Sequence, residues 1–264
     1  MLCSNISLFP YLRKQIFAPR WKSLKLFRLI KPALWLFIPT VATNIYLQLN
    51  KTMLGLFSGI KQAGYFQQSD YLIKMIISIV TALGTVMMPR IANLYSQQKN
   101  KEINSLLRKS FSFVSFISLP ASFGVMALGP AFAPLFFGKS FEEVGDVMFV
   151  EAGIIFFIGW SNIIGIQFLL PTNRMKSFTF SVTAGALVNL LLNFLFIPRF
   201  GASGAAFTTL IAEFSVTIIQ FLSVRKNLRI FPMISETWKY LVASIIMFFS
   251  IQSLNIFIIS GWPN

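Results

Sequence analysis

The sequence predicts an all-α integral membrane protein with about seven transmembrane helices, and three observations lead to this fold class. Of the 264 residues, 55% are hydrophobic and only 12% are charged, so the acidic and basic side chains are too few to cover a soluble core. Apolar stretches long enough to cross a bilayer recur along the chain. The basic residues gather in alternate loops between these stretches, as in multi-pass membrane proteins.

Windows of about 18 or more apolar residues define the predicted spans. They cover residues 33–56, 70–89, 110–129, 147–170, 177–198, 202–223 and 238–260, so that the bundle occupies residues 33–260. The apolar stretch at 131–137 is too short to cross a membrane, and we expect an interfacial or re-entrant piece there. Residues 1–32 are basic and interleaved with aromatic side chains, which predicts a cytoplasmic or interfacial segment ahead of the bundle.

The distribution of positive charge predicts the orientation of the bundle. Eighteen of the 23 Lys and Arg residues lie before the first span or in every second loop after it, whereas the opposite loops hold only four. Because positively charged loops stay on the cytoplasmic side, we expect a cytoplasmic N-terminus and a location in the cytoplasmic membrane. The alternation leaves no continuous basic face, so no nucleic-acid partner is expected despite the net charge of +15.

Residue types that usually carry catalysis or bind metals are scarce. The chain has no histidine and a single cysteine, Cys3. The run APLFFGKS at 133–140 fits a loose phosphate-loop pattern, but proline and phenylalanine occupy the cradle positions and no strand precedes it. We therefore expect neither an enzyme nor a bound metal or cofactor.

Polar residues recur at helical spacing along one face of each of the first two predicted spans, and each such row is called a seam here. The seams comprise Asn44, Gln48, Asn50 and Lys51 on the first span, and Asp70, Lys74, Ser78, Thr81 and Thr85 on the second. Since lipid offers polar groups no partners, both seams are expected to face the bundle interior or a water-filled cavity.

We predict that the first six of these residues, from Asn44 to Lys74, bind substrate. Lys51 and Lys74 would be counter-charges for an anionic headgroup, and the amides would be partners for sugar hydroxyls. Structural roles remain open, because Lys51 can extend to the interface and Asp70 can pair with Lys74 one turn away.

Two carboxylates within predicted spans are candidates for ion coupling. Glu213 lies in the middle of a span, where desolvation makes an ionisable group costly. Glu151 lies one turn inside another span and can alternatively reach the outer interface. Asn189 and Asn193, four residues apart, are expected to form hydrogen bonds between helices.

Six runs carry a family resemblance: YLQLNKTMLG (46–55), AGYFQQSDYLIKM (63–75), TALGTVMMPRIANLYS (81–96), PLFFGKSF (134–141), WSNIIGIQFLLPTNRMKSFTFSV (160–182) and GASGAAFTTLIAEF (201–214). They resemble the polysaccharide transporter family, the Wzx-type flippases of capsule and exopolysaccharide repeat units. The superfamily also contains lipid II flippases and multidrug exporters.

This resemblance implies two pseudo-symmetric bundles of about fourteen helices around a cationic cavity, with this chain as the C-terminal part. The implied substrate is an undecaprenyl-diphosphate-linked oligosaccharide moved across the bacterial cytoplasmic membrane. The implied partners are membrane lipid and either a separate N-terminal half or further copies of the chain.

Three alternatives stay open at this point. The chain can be a remnant that does not transport, or a membrane partner of a polysaccharide assembly complex. It can also be a drug or cation exporter of the same superfamily. A membrane glycosyltransferase or polymerase is disfavoured because the longest outer loop, at about residues 130–146, is short.

Overall fold

The computed structural model describes residues 37, 41, 48–228 and 230–261, with side chains through residue 254. Every regular element in this part of the chain is a helix, which confirms the all-α fold class. The predicted segment 1–32, most of the span at 33–56 and the seam residue Asn44 lie outside the described residues.

Eight helices are numbered here in chain order within the described residues. They are α1 (48–57), α2 (Ile60–Ser96), α3 (Asn100–Phe137), α4 (Glu142–Glu151), α5 (Gly153–Asn162), α6 (Met175–Val224), α7 (Ile230–Ile234) and α8 (Trp238–Gly261). A short 3₁₀ turn, Lys139–Phe141, precedes α4, and a π-helix, Ile163–Leu169, prolongs α5.

Helix α6 is a hairpin of two arms. A straight helix of its 50 residues would be about 75 Å long, more than twice the thickness of a bilayer core. At Gly201 the backbone leaves the helical region, with φ 54° and ψ −132°. The arms before and after this residue lie antiparallel, since Thr208 Oγ1 donates to Asn193 Oδ1 at 2.5 Å and Gln220 Nε2 donates to Ser181 Oγ at 3.3 Å.

The break at Gly201 gives a first testable prediction. In Gly201→Ala the new Cβ would be strained at a positive φ and would also meet the side chain of Gln62. We expect a loss of stability of about 1–3 kcal/mol, measured as a lower thermal unfolding midpoint in mild detergent. The matched control is Gly64→Ala, a helical glycine with open space around it, which should be neutral or slightly stabilising. An unchanged midpoint in Gly201→Ala would contradict the positive φ of Gly201 and its close approach to Gln62.

The lengths and composition of the helices fit a multi-pass membrane protein. Among the described residues, four helices are long and apolar enough to cross a bilayer, and α4 with α5 and the π-helix forms a fifth span bent by 41°. Counting the two arms of α6 separately gives six spans in the described residues, and α1 overlaps the end of the predicted span at 33–56. The apolar windows of the four long helices are only 11–39% buried, which leaves most of their surface for lipid.

One local prediction was wrong. Residues 131–137 are not a separate interfacial or re-entrant piece, because α3 continues as a helix through Pro130 and Pro134 to Phe137. The helix persists because an apolar environment favours a backbone whose hydrogen bonds are satisfied internally, and membrane helices accommodate proline on this account.

The turns alternate between two ends of the bundle. The basic end contains the turns at 97–99, 170–174 and 225–228, and the opposite end contains residues 58–59, 138–141 and the break at Gly201. Hydrogen bonds join neighbouring elements at each end. At the basic end Arg174 donates to Asn227 and Arg108 pairs with Glu236.

The opposite end is held by the side chain of Gln62, which connects three elements. Its Nε2 donates to Glu143 Oε2 at 2.6 Å, and its Oε1 accepts from the backbone N–H of Ala202 at 2.8 Å. The first turn of α2 is thereby tied to the start of α4 and to the break in α6.

Two apolar clusters lie between these ends. The larger one joins α2, α3 and α5 from the middle of the bundle to the basic end, and Ile73, Phe111 and Ile155 are fully buried in it. The second lies toward the opposite end, where Leu54 of α1 packs with Phe66 of α2. The polar side chains described next lie where the two clusters meet.

Candidate functional site

Asp70 forms the centre of a three-residue ion cluster between α1 and α2. Its Oδ2 lies 2.8 Å from Lys74 Nζ, one turn further along α2, and 3.5 Å from Lys51 Nζ on α1. The Asp70 side chain is only 3% exposed, whereas Lys51 and Lys74 are 26% and 40% exposed. Lys51 also lies 5.4 Å from the centre of the Tyr71 ring. One buried carboxylate therefore holds two ammonium groups, and the more exposed of them is Lys74.

Lys74 and Asp70 line a cavity of about 280 Å³ between α2, α5 and the two arms of α6. Its polar lining residues are Asp70, Lys74, Ser161, Asn162, Thr209 and Glu213. The remaining wall is apolar or glycine and includes Phe66, Ile158 and Phe178. A few charged and hydroxyl-bearing groups thus converge on an otherwise apolar pocket, as in sites that bind a ligand with a polar head.

Glu213 faces the same cavity from the second arm of α6. Its side chain is nearly buried, and its backbone carbonyl accepts a hydrogen bond from Thr217 Oγ1 at 2.8 Å. The structure thus brings three of the sequence-predicted site residues, Asp70, Lys74 and Glu213, to one cavity. A fourth, Lys51, is paired with the carboxylate of Asp70.

Asn50 belongs to a separate cluster of buried amides and hydroxyls. It accepts a hydrogen bond from Asn193 Nδ2 at 2.6 Å and donates to Thr209 Oγ1 at 3.0 Å. Asn193 Nδ2 also donates to Asn189 Oδ1 at 3.0 Å, and Thr208 donates to Asn193. The cluster therefore joins α1 to both arms of α6, and these amides act between helices as expected for Asn189 and Asn193.

Glu151 does not line the cavity. It is fully buried at the end of α4, and its Oε2 accepts a hydrogen bond from Ser69 Oγ of α2 at 2.5 Å. Its Oε1 has no hydrogen-bond partner among the described residues. At the adjoining bend between α4 and α5, the Ala152 carbonyl accepts a hydrogen bond from Ser122 at 2.7 Å. Glu151 is therefore held at the bent part of the fifth span, away from the interface.

The Ser69–Glu151 contact gives a second testable prediction. Ser69→Ala removes the only described hydrogen-bond donor to a fully buried carboxyl group. We expect a loss of stability of about 1–3 kcal/mol, measured by thermal unfolding in detergent. The matched control is Ser78→Ala on the same helix, where the hydroxyl is exposed and donates to the carbonyl of Met75. Equal midpoints for the two variants would show that the contact contributes no stability.

The remaining seam residues do not converge on the cavity in the part of the chain that the structure describes. Gln48 is exposed on α1. Ser78, Thr81 and Thr85 donate to carbonyls of their own helix three or four residues earlier. Sequence reasoning missed Ser69 and Ser161, because a serine carries no periodic signal that distinguishes a ligand-facing hydroxyl from one bonded to its own helix.

The helices and the cavity together define a class of protein. Helices that expose apolar surface to lipid surround a cavity with charged groups at membrane depth, which is the arrangement of a membrane transporter. The family model described as "Lipid II flippase MurJ" matches residues 2–263, and the chain belongs to this family. The resemblance to oligosaccharide flippases is thereby confirmed.

Individual relatives agree with this assignment. The chain is 27% identical over 191 residues to a protein of Escherichia coli (strain K12) named "Putative O-antigen transporter", a match that covers 72% of this chain and 46% of the relative. It is 24% identical over 155 residues to "Capsular polysaccharide biosynthesis protein CapF" of Staphylococcus aureus, covering 59% of this chain and 39% of the relative. The chain thus spans about half the length, or less, of these curated relatives.

A solved structure has the same fold. "Lipid II flippase MurJ, inward closed conformation" superposes with a TM-score of 0.71 at 18% sequence identity. The match covers 86% of this chain and 47% of that one. The helical bundle described above is therefore the fold of about half of that flippase.

Proposed function

We propose that this chain forms one half of a flippase that moves a polyprenyl-diphosphate-linked oligosaccharide across the cytoplasmic membrane for capsule or exopolysaccharide synthesis. The proposal rests chiefly on one observation: Lys74 is 40% exposed on the wall of an intramembrane cavity, next to a buried carboxylate that a second lysine also neutralises. Membership of the flippase family supports the same role. Transport of this kind involves no covalent step, so the proposed role is that of a transporter rather than an enzyme.

The Asp70 cluster suggests how a diphosphate would be bound and released. When Lys74 turns from Asp70 toward a substrate phosphate, Asp70 keeps the ammonium of Lys51 at 3.5 Å as its counter-charge. The exchange therefore avoids leaving a bare carboxylate in a dry environment, which would be costly. Lys51 would contact the headgroup from α1, while Asn50 holds α1 against α6. The seam residue Asn44 stays a proposed contact from the sequence alone, because it lies outside the described residues.

The cavity also contains a carboxylate that can couple transport to an ion. Glu213 shares the cavity with Lys74, so an ion or proton bound there would change the charge that a phosphate encounters. Glu151 is the second candidate, since it is buried beside the bend between α4 and α5, where a change in charge would act on helix geometry.

The orientation proposed from the sequence assigns the basic end to the cytoplasm. Within the described residues this end carries most of the Lys and Arg side chains, and positive loops are retained on that side. The N-terminus would then be cytoplasmic, and the substrate would enter from the basic end. A second bundle, either an N-terminal half or another copy of this chain, would form the facing wall of the pathway.

Rescue of surface polysaccharide in a flippase-deficient strain tests the proposal. The chain is expressed alone and together with the N-terminal half of a relative, and membrane insertion is verified by immunoblot. Rescue in either arm supports transport and identifies which second bundle is needed. Failure in both arms, with the protein present in the membrane, would favour a chain that does not transport.

The double substitution Lys51→Ala with Lys74→Ala separates the proposal from a drug or cation exporter. A cationic substrate does not need the two ammonium groups, so an exporter would keep its activity. The proposed anionic substrate requires them, and rescue should be lost. Because the buried Asp70 would otherwise keep no counter-charge, Asp70→Asn is added to the double variant, and an immunoblot of the membrane fraction verifies insertion.

A further inference from the structure

A second pocket lies between α3 and α8, away from the cavity described above. It has a volume of about 400 Å³ and is lined by Lys109, Ser112, Phe113, Phe116 and Tyr240. The four α3 residues lie at spacings of three and four, so they share one face of the helix. Tyr240 closes the pocket from α8, where its ring meets the Phe116 ring edge-on at 5.6 Å. Two helices thus build the pocket from residues that the transport proposal does not use.

The position of the pocket along the helices coincides with the membrane–water boundary. Lys109 is the last charged residue of α3, and the 28 residues from Ser110 to Phe137 contain none. In α8 the last charged residue is Lys239, directly before Tyr240. Charged and tyrosine side chains at the start of long apolar runs mark the depth of lipid headgroups. The pocket therefore lies at headgroup depth at the basic end.

The polar groups of the pocket suit an anion. Neighbouring Arg108 is paired with Glu236, whereas Lys109 has no ion-pair partner among the described residues. The hydroxyls of Ser112 and Tyr240 lie 2.8 Å apart. When one of them donates to the other, the acceptor's own proton remains available for an external oxygen. The lining thus offers an ammonium and a hydroxyl donor, and none of its five residues is acidic.

The apolar part of the pocket indicates what kind of anion it takes. Phe113 is 49% exposed and Phe116 is 58% exposed, and both lie on the side of Lys109 that leads into the membrane. An acyl chain can lie along these rings while a phosphate stays near Lys109 and the hydroxyls. We propose that this pocket binds the headgroup of an anionic phospholipid through its phosphodiester, with the acyl chains against Phe113 and Phe116. The site is independent of the transport proposal.

Lipid binding to the purified chain in a neutral detergent tests this site. Fluorescent short-chain phosphatidylglycerol is titrated against the wild type, with phosphatidylcholine as the zwitterionic comparison. Lys109→Gln should weaken phosphatidylglycerol binding about fivefold, the effect of one basic residue near a headgroup. Lys101→Gln, at an exposed lysine of the same helix two turns away, is the matched control and should change affinity less than twofold. Size-exclusion profiles verify that both variants are folded.

The other outcomes are equally informative. Equal affinity for the two lipids would overturn the proposed preference for an anionic headgroup. Equal losses of affinity in Lys109→Gln and Lys101→Gln would also overturn the proposal, since anionic lipid would then be attracted to the basic end in general and not to this pocket. Inorganic phosphate at the lipid concentration should fail to compete, because it has no acyl chains to contact the phenylalanines. Effective competition would assign the pocket to a free anion and would likewise overturn the lipid proposal.

Discussion

Replacing Lys74 by glutamine is expected to lower transport of the lipid-linked oligosaccharide by about tenfold to a hundredfold. A hydrogen bond to a charged group contributes about 1.5–3 kcal/mol, and this variant keeps the size of the side chain while removing its charge. Folding should be preserved, because Asp70 retains Lys51 as its counter-charge at 3.5 Å. The measurement is the rate of rescue of surface polysaccharide, divided by the amount of protein in the membrane.

The matched control for Lys74→Gln is Lys61→Gln on the same helix. Lys61 lies at the first turn of α2, over the ring of Tyr65 at 5.3 Å, and does not line the cavity. Its replacement should leave transport within twofold of the wild type. If Lys74→Gln transported as well as Lys61→Gln, Lys74 would have only the structural role of pairing with Asp70.

Replacing Asn193 by alanine is expected to destabilise the packing of α1 against the two arms of α6. The side chain donates to Asn50 and Asn189, so its removal leaves two buried amide oxygens short of a hydrogen bond, whereas Thr208, which also donates to Asn193, keeps the carbonyl of Ala205 as an acceptor. Polar contacts between membrane helices contribute about 0.6–2 kcal/mol each, so the loss of two is about 1–4 kcal/mol. At about 2–4 °C per kcal/mol, the thermal midpoint in detergent should fall by about 2–16 °C.

Asn93→Ala provides the same chemical change at an exposed position. Asn93 is exposed near the end of α2, and its side chain accepts a hydrogen bond from Gln97, four residues further along the chain. Its replacement should change stability by no more than about 0.5 kcal/mol. Similar midpoints for Asn193→Ala and Asn93→Ala would mean that the amide cluster is not what holds α1 to α6.

Much of the fold could be predicted because it follows from local chemistry. Apolar length and the alternation of basic loops are enough to predict an all-α membrane bundle, and the hairpin in α6 follows from a glycine between two apolar runs. The sequence already allows Asp70 to pair with Lys74, because the two residues are one helical turn apart. These features depend on neighbours along the chain.

The parts of the site that could not be predicted depend on distant segments. Ser69 and Glu151 are 82 residues apart in the sequence, and no spacing rule relates them. Asn50 was assigned to the same seam as Lys51, yet it turns toward Asn193, 143 residues further on. Helical periodicity gives the face on which a side chain lies, but the neighbour that this face meets is set by the packing of the whole bundle.

Transbilayer movement in proteoliposomes is the most direct test of the central claim. The purified chain, alone and with the N-terminal half of a relative, is reconstituted with a polyprenyl-diphosphate oligosaccharide bearing a fluorophore on its headgroup. A membrane-impermeant reductant then reports the fraction of headgroups that reach the outer leaflet. The account predicts that the protected inner pool is bleached with wild-type protein in at least one arm, and that Lys74→Gln slows this at least tenfold. An inner pool that stays protected in both arms, with folded protein in the vesicles, would contradict it.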